Sequence, residues 1–234
     1  MKDSPEYLKD HDKAVSLSRE IKAGARDLGF FACGIAEARP VDPDTSIHIR
    51  HWLATHGNAD MDYMGNYTDK RLNPTLLMDG LKSIVSVALN YTPAKTLPKG
   101  QFQLSAYALG EDYHDVVKGK LRFLAERLHF EHYRAFCDSA PILERYWAER
   151  AGLGWTGRNH QLIIPHAGSM FFLGELFLDQ ELAYDQPMKN HCGNCHRCID
   201  ACPTHALRQG QEIDASLCLS YQLIENRGEL SEQA

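Results

Sequence analysis

The sequence predicts an α+β domain followed by a small cysteine-bearing appendage. Helix-period and strand-like apolar runs intermix over residues 1–182. The run Ser83–Leu89 (SIVSVAL), rich in small and β-branched residues, reads as a central strand. After Asp185-Gln186-Pro187 the chain becomes short-stepped, turn-rich and cysteine-laden, which places a boundary near residue 185. The expected units are therefore 1–184 and 185–234.

Taken in order, Val15, Leu17, Ile21 and Leu28 give an N-terminal helix an apolar face that ends at Gly29. Phe30–Ala36 (FFACGIA) suits a buried strand. Residues 46–56 read as a second helix stopped by Gly57. A long helix is expected from about Asp115 to Phe130, with Val116, Leu121, Leu124 and Leu128 inward. Arg134–Cys137 reads as a strand, and a helix should follow from about Pro141 to Arg150. Ser139 and Pro141 stand where a cap and a first-turn proline belong. Leu162–Ile164 and Met170–Leu178 are further strand candidates around the turn at Pro165–Gly168.

Composition bounds the function. The 234 residues are 44% hydrophobic and 9% aromatic, enough for a real core. No apolar run reaches the ~20 residues of a membrane span, and the start lacks the apolar stretch of a signal peptide, so the cytosol is the expected compartment. With 31 acidic against 25 basic residues the net charge is −6, which argues against a general nucleic-acid coat but not against a local basic patch. The twelve histidines are scattered.

Five of the seven cysteines fall within residues 192–218, a distribution that suits a metal site better than a disulfide framework. Cys192, Cys195, Cys198 and Cys202, followed by Pro203, make the run C-x2-C-x2-C-x3-C-P of bacterial ferredoxins. Zinc sites instead use two cysteine pairs separated by a longer loop. The spacing therefore points to a [4Fe–4S] cluster. In two-cluster proteins the cysteine before proline serves the other cluster, so Cys202 and Cys218 would belong to a second one. Alternatively, one cluster forms with Cys202 or Cys218 as its fourth ligand.

Several stretches resemble one family, the epoxyqueuosine reductases, which are cobalamin-dependent iron–sulfur enzymes of queuosine biosynthesis in tRNA. They are His56-Gly57 with Met61–Met64, Tyr107–His114, Asp138–Arg145, Ala151–Arg158, Gly168–Glu175, the cysteine run, and Asp214–Tyr221. The resemblance implies a nitroreductase-like cobalamin-binding domain and a ferredoxin-like domain. In the family pattern a second cysteine motif follows. This sequence ends at Ala234 before it, so poor retention of two clusters is expected of this chain. The clusters would feed electrons to cobalamin, which opens the epoxide while an acid protonates the departing oxygen. Carried over, the acid is Asp138, and the cobalamin cradle is Asn58, Asp138, Leu162, Leu173 and Ser220, with Leu162 and Leu173 acting mainly through backbone groups. The implied partners are tRNA and an electron donor such as a flavodoxin or ferredoxin, for a monomeric protein with no membrane association.

Single residues have plainer readings too. Between a strand and a helix, Asp138 also suits a helix cap. Gly152, Gly154 and Gly157 follow a helix rather than a strand, which is the wrong order for dinucleotide binding. His56, His114 and His160 lack a recurring second ligand, and Cys33 and Cys137 read as packed thiols. Arg122, Arg127, Arg134 and Arg145 could meet tRNA phosphates or simply be solvated. Two other functions compete: a dehalogenase-like cobalamin and iron–sulfur reductase of small molecules, and an electron-transfer or cofactor-carrying protein without its own chemistry.

Overall fold

A computed structural model of the chain describes residues 5–96, 98 and 100–231. The helices are α1 (Pro5–Asp27), α2 (Pro43–Ala54), α3 (Thr68–Leu72), α4 (Tyr113–Arg127), α5 (Glu144–Arg150), α6 (Arg197–Asp200) and α7 (Leu219–Ile224). The strands are β1 (Ala32–Glu37), β2 (Ser83–Asn90), β3 (Tyr133–Phe136), β4 (Trp155–Thr156), β5 (Leu162–Ile163) and β6 (Phe171–Leu178). Residues 1–4 of the expected first helix lie outside the described residues.

The main sheet has the order β1-β2-β6-β3, and every neighbouring pair is antiparallel. β4 and β5 form a separate antiparallel pair. Such a sheet, with helices packed on it rather than crossing over between parallel strands, is an α+β architecture.

Strand alternation divides the core in two. On one side, Val85, Val87, Leu176 and Leu178 meet Ile21 and Ala25 of α1 and Val117, Leu121 and Leu124 of α4, all buried. On the other, Ile84, Ala88 and Phe177 meet Trp147 and Ala148 of α5 together with Val41, Leu72 and Leu162. Each large apolar side chain so buried contributes about 1.5–3 kcal/mol. That must outweigh the cost of one row that breaks the apolar pattern on the α5 side. Across the sheet the register runs Gly34, Ser86, Glu175, Phe136. Ser86 and Glu175 are both fully buried. Gly34 is required at its end of the row, because a Cβ there would stand 2.0 Å from the Ala151 carbonyl oxygen.

The strands fall close to where the sequence places them, with β4 in addition. Two expectations need correction. The helix expected from Pro141 begins at Glu144, its N-cap position is Leu143, and no side chain caps it. Neither Ser139 nor Asp138 is a cap, because residues 137–143 form an irregular turn in which Asp138 has φ of +55°. In α4 the buried positions are Val117, Leu121, Leu124 and Ala125, so Val117 rather than Val116 faces the core.

The segment after β6 stays tied to the sheet. Asp185 accepts the Ile35 N–H (2.8 Å) and a Lys22 ammonium bond (2.6 Å), and donates its own N–H to the Ile35 carbonyl (2.8 Å). Farther on, Trp52 Nε1 donates to the Ile213 carbonyl (2.7 Å) and the Ala215 N–H to the Gly57 carbonyl (2.9 Å). Tyr221 donates its hydroxyl to Asp60 (2.9 Å). Among the described residues, no helix is long and apolar enough to cross a membrane.

Candidate active site and iron–sulfur segment

Asp138 lies two residues past the end of β3, and its carboxyl is 60% exposed. Tyr113, in the first turn of α4, donates its hydroxyl to Asp138 Oδ2 at 2.5 Å. His114 Nε2 lies 3.6 Å from the same oxygen, and its Nδ1 is 2.7 Å from Asp112. Asp112 is the N-cap of α4 and accepts the His114 N–H. One helix start thus fixes two polar groups on one carboxyl.

Aromatic packing fixes the tyrosine. Its ring stacks on Phe172 with 4.0 Å between centroids and 2° between planes, and on His114 at 4.0 Å. Phe172 in turn meets Tyr91 at 4.6 Å. Tyr91, Phe172 and Tyr113 wall a pocket of about 340 Å³ together with Leu89, Tyr107 and Leu109.

Behind Asp138 lies a pair of carboxyls. The Asp138 N–H donates to Glu144 Oε1 at 2.5 Å, and Glu144 in turn meets Glu175. Burial, offset in part by the Asp138 N–H, raises the Glu144 carboxyl to about 7. Burial together with the Glu144 charge raises Glu175 well above the carboxylate range.

The expected cradle residues are placed as follows. Asn58 is buried and donates to the Met61 carbonyl at 3.1 Å. It opens the stretch leading to Tyr63, whose phenol is raised by burial and by the nearby charges of Glu225 and Asp138. Residues 58–63, Asp138 and the end of α7 are therefore neighbours, and Ser220 is exposed on α7. Leu173 offers its carbonyl to the Cys137 thiol at 3.1 Å, one residue from Asp138. Leu162 is buried in the α5-side cluster, against which Leu173 packs.

Cys192, Cys198, Cys202 and Cys218 are half-buried, and Cys195 is exposed. Trp155 Nε1 points its N–H at Cys192 Sγ from 3.5 Å. Arg158 clamps the loop through the carbonyls of Cys195 (2.6 Å) and Gly193 (2.7 Å). Burial pushes the Cys202 thiol up, but bonds from the Leu207 and Thr204 N–H groups, the Thr204 hydroxyl and the Ala206 N–H outweigh it and hold the thiol below its usual range. N–H groups aimed at sulfur favour thiolate, the form that binds metal. Among the described residues no three His, Cys, Asp or Glu side chains converge on a point for a single ion. The N–H aimed at Cys192 and the thiolate-favouring bonds at Cys202 are what sulfur ligands of a cluster require.

Cys137 lies in the cluster beneath α1 and α4, and Cys33 packs against it. Burial raises the Cys33 thiol to about 12, and raises Cys137 as well, as expected of packed thiols. Arg127 pairs with Asp27 (3.0 Å), Arg134 donates to the Leu77 carbonyl, and Arg145 donates to the His160 carbonyl. These three arginines are thus occupied within the fold. Sequence reasoning assigned no role to Tyr113, Glu144, Glu175, Trp155 or Arg158. A carboxylate inside the apolar run Phe171–Leu178 was the available signal for Glu175.

Two family models match the chain: "Epoxyqueuosine reductase QueG, DUF1730" over residues 71–139 and "4Fe-4S double cluster binding domain" over residues 191–234. An epoxyqueuosine reductase of Cellulophaga algicola is 44% identical over 217 residues, covering 91% of this chain and 71% of that protein. The Pseudomonas aeruginosa enzyme is 40% identical, covering 91% and 61%. The structure of epoxyqueuosine reductase from Streptococcus thermophilus superposes with a TM-score of 0.83 at 28% identity, covering 94% of this chain and 60% of that one. An epoxyqueuosine reductase solved with an epoxyqueuosine-modified stem loop of tyrosine tRNA gives 0.81 at 28% identity, covering 93% and 60%. The chain thus spans about 60% of the length of these solved structures. On the identity and coverage of its relatives, the chain belongs to the epoxyqueuosine reductase family.

Proposed function

We propose that this protein reduces epoxyqueuosine to queuosine in tRNA, with Asp138 as the proton donor. The observation that carries this is the Asp138 carboxyl itself, open to solvent yet gripped by Tyr113 at 2.5 Å and neighboured by His114 at 3.6 Å. A carboxyl keeps acceptor capacity whether or not it is protonated, so the Tyr113 bond survives proton transfer. Held in one geometry, the acid can give its proton to the departing epoxide oxygen. The aromatic walls of the adjoining pocket suit a flat heterocycle.

Cobalamin would be held by Asn58, Asp138, Leu162, Leu173 and Ser220, and when bound it supplies the reducing equivalents that open the epoxide. Cys192, Cys195, Cys198, Cys202 and Cys218 would ligate the [4Fe–4S] clusters that deliver electrons. In this reading residues 1–184 hold the catalytic site and residues 185–234 the cluster ligands. The protein acts as a cytoplasmic monomer and draws electrons from a small donor such as a flavodoxin or ferredoxin. The modified stem loop bound by a solved relative supports a tRNA substrate.

The test is conversion of epoxyqueuosine-bearing tRNA by anaerobically reconstituted protein, read by nucleoside mass spectrometry. Appearance of queuosine that depends on added cobalamin is expected. Reduction of a small halogenated substrate without reaction on tRNA would overturn the assignment.

A further inference from the structure

Glu175 is the one fully buried carboxylate among the described residues. It sits on β6 in register with Ser86 on β2 and Phe136 on β3, facing α5. Neither of its oxygens receives a hydrogen bond from a donor group, and neither does the Ser86 hydroxyl find a partner. Its nearest charged neighbour is another carboxyl, that of Glu144, with Asp138 beyond it. Two carboxylates are both acceptors, so they make a hydrogen bond only when one carries a proton. The pair is therefore a proton-sharing unit set directly behind Asp138. Glu144 has a second task, since its Oε1 accepts the Asp138 N–H at 2.5 Å. Asp138 has φ of +55°, a left-handed conformation that L-residues enter at a cost.

We propose that Glu144, backed by Glu175, is a positioning residue whose charge latches the Asp138 turn in the left-handed conformation that presents the acid. This rests on Asp138 being the proton donor. When the pair carries one negative charge, the Asp138 N–H donates to an anion, a bond roughly twice as strong as a neutral one. When the pair is fully protonated the same N–H meets a neutral acceptor, and the turn loosens. Facing the pair are Asp138, Cys137 just past β3, Tyr113 of α4 and Arg145 of α5 itself. Of these, the Cys137 thiol and Tyr113 phenol are both raised and stay neutral around neutrality, while Arg145 stays charged. Of the shifted groups here, the one raised into the neutral range is Glu144, at about 7. Glu175 supplies the proton that lets Glu144 keep its charge beside a second carboxyl.

A merely structural role for Glu144 is independent of pH, and its amide counterpart would fill it. Hydrogen exchange of the peptide spanning residues 137–143, read by mass spectrometry and corrected for intrinsic rates, separates the two. In wild-type protein, protection should rise about fivefold between about pH 6 and 8 as the bond becomes charge-assisted. Glu144→Gln should stay flat at the low-pH level. Glu175→Gln should keep the step, because an amide N–H replaces the acid proton donated to Glu144. No step in the wild type overturns the latch, and so does Glu144→Gln protected like wild type at the higher pH, or Glu175→Gln as flat as Glu144→Gln. The wild-type profile decides by itself if a variant does not fold. Single-turnover reduction of epoxyqueuosine tRNA is read alongside. A protection step without any turnover would leave the latch standing and remove the proposed function, whereas normal turnover without the step would do the reverse.

Discussion

Tyr113 and Asp138 are joined hydroxyl to carboxylate at 2.5 Å across 25 residues of sequence, from the start of α4 to the end of β3. Burial and the Asp138 carboxylate both raise the Tyr113 phenol, so it remains a neutral donor throughout the working range of pH. Tyr113→Phe should fold normally, because the ring keeps its stack on Phe172. A hydrogen bond to a charged group contributes about 1.5–3 kcal/mol, so single-turnover reduction should slow roughly 10- to 100-fold. Wild-type speed in Tyr113→Phe would make the contact incidental.

Asp138→Asn should keep the fold, since Asn tolerates a left-handed backbone much as Asp does. It removes the transferable proton, and loss of a positioned acid costs about 10²–10⁴ in rate. Single-turnover reduction with pre-reduced cofactor isolates that step from electron delivery. Asp138→Ala adds a stability loss of ~1 kcal/mol, as Ala strains at this φ. An unchanged rate in Asp138→Asn would make Asp138 a residue of the turn alone.

Glu144 and Glu175 both have folded-state carboxyls raised above the ordinary value of 4.5. The folded chain therefore holds protons that the unfolded chain has released. The stability they lend is full below about pH 4.5 and falls as pH rises through about 7, the Glu144 value, and beyond it for Glu175. Denaturant unfolding should show the wild type losing stability as pH rises from about 4.5 through about 7 and on beyond it, and Glu175→Gln losing less. Parallel curves for the two proteins would show that Glu175 does not titrate with folding.

Much of this site was only partly legible in sequence. β2 and β6 declare themselves by apolar runs with β-branched residues, and the cysteine run by its spacing. The start of α5 was misplaced because Ser139 and Pro141 carry ordinary start signals. The turn they sit in is set instead by tertiary contacts, from Glu144 reaching back and Tyr113 reaching across. Neither the register that lines up Gly34, Ser86 and Glu175 nor the sheet order leaves a local mark, since both depend on strands far apart in the chain.

Gly34→Ala tests that register. Its Cβ would meet the Ala151 carbonyl oxygen at 2.0 Å and Leu153 Cδ1 at 2.8 Å, and the backbone carbonyl cannot swing aside cheaply. Overpacking of this kind costs about 1–3 kcal/mol, which for a chain of this size is a melting-temperature drop of roughly 2–4 °C per kcal/mol. An unchanged melting temperature would mean that α5 does not press on β1 as described.

Anaerobic reconstitution with iron and sulfide should give the broad visible absorbance of thiolate-to-iron charge transfer, and Cys195→Ser should abolish it. Zinc in place of iron would be colourless. Stoichiometric zinc after such treatment would rule out the cluster.

Asp185 on β1 and Tyr221 on Asp60 hold the cysteine segment at both ends. In polymer terms Cys192–Cys202 lie in a ring rather than on a tail, and the freedom of a ring grows only with the logarithm of its contour. Metal loading then meets a chain whose span is already set, so ordering entropy is drawn from the ring's interior alone. Opening the ring takes the loss of every tie at its far end, Trp52 to Ile213, Ala215 to Gly57 and Tyr221 to Asp60, after which cluster retention would depend on tether length.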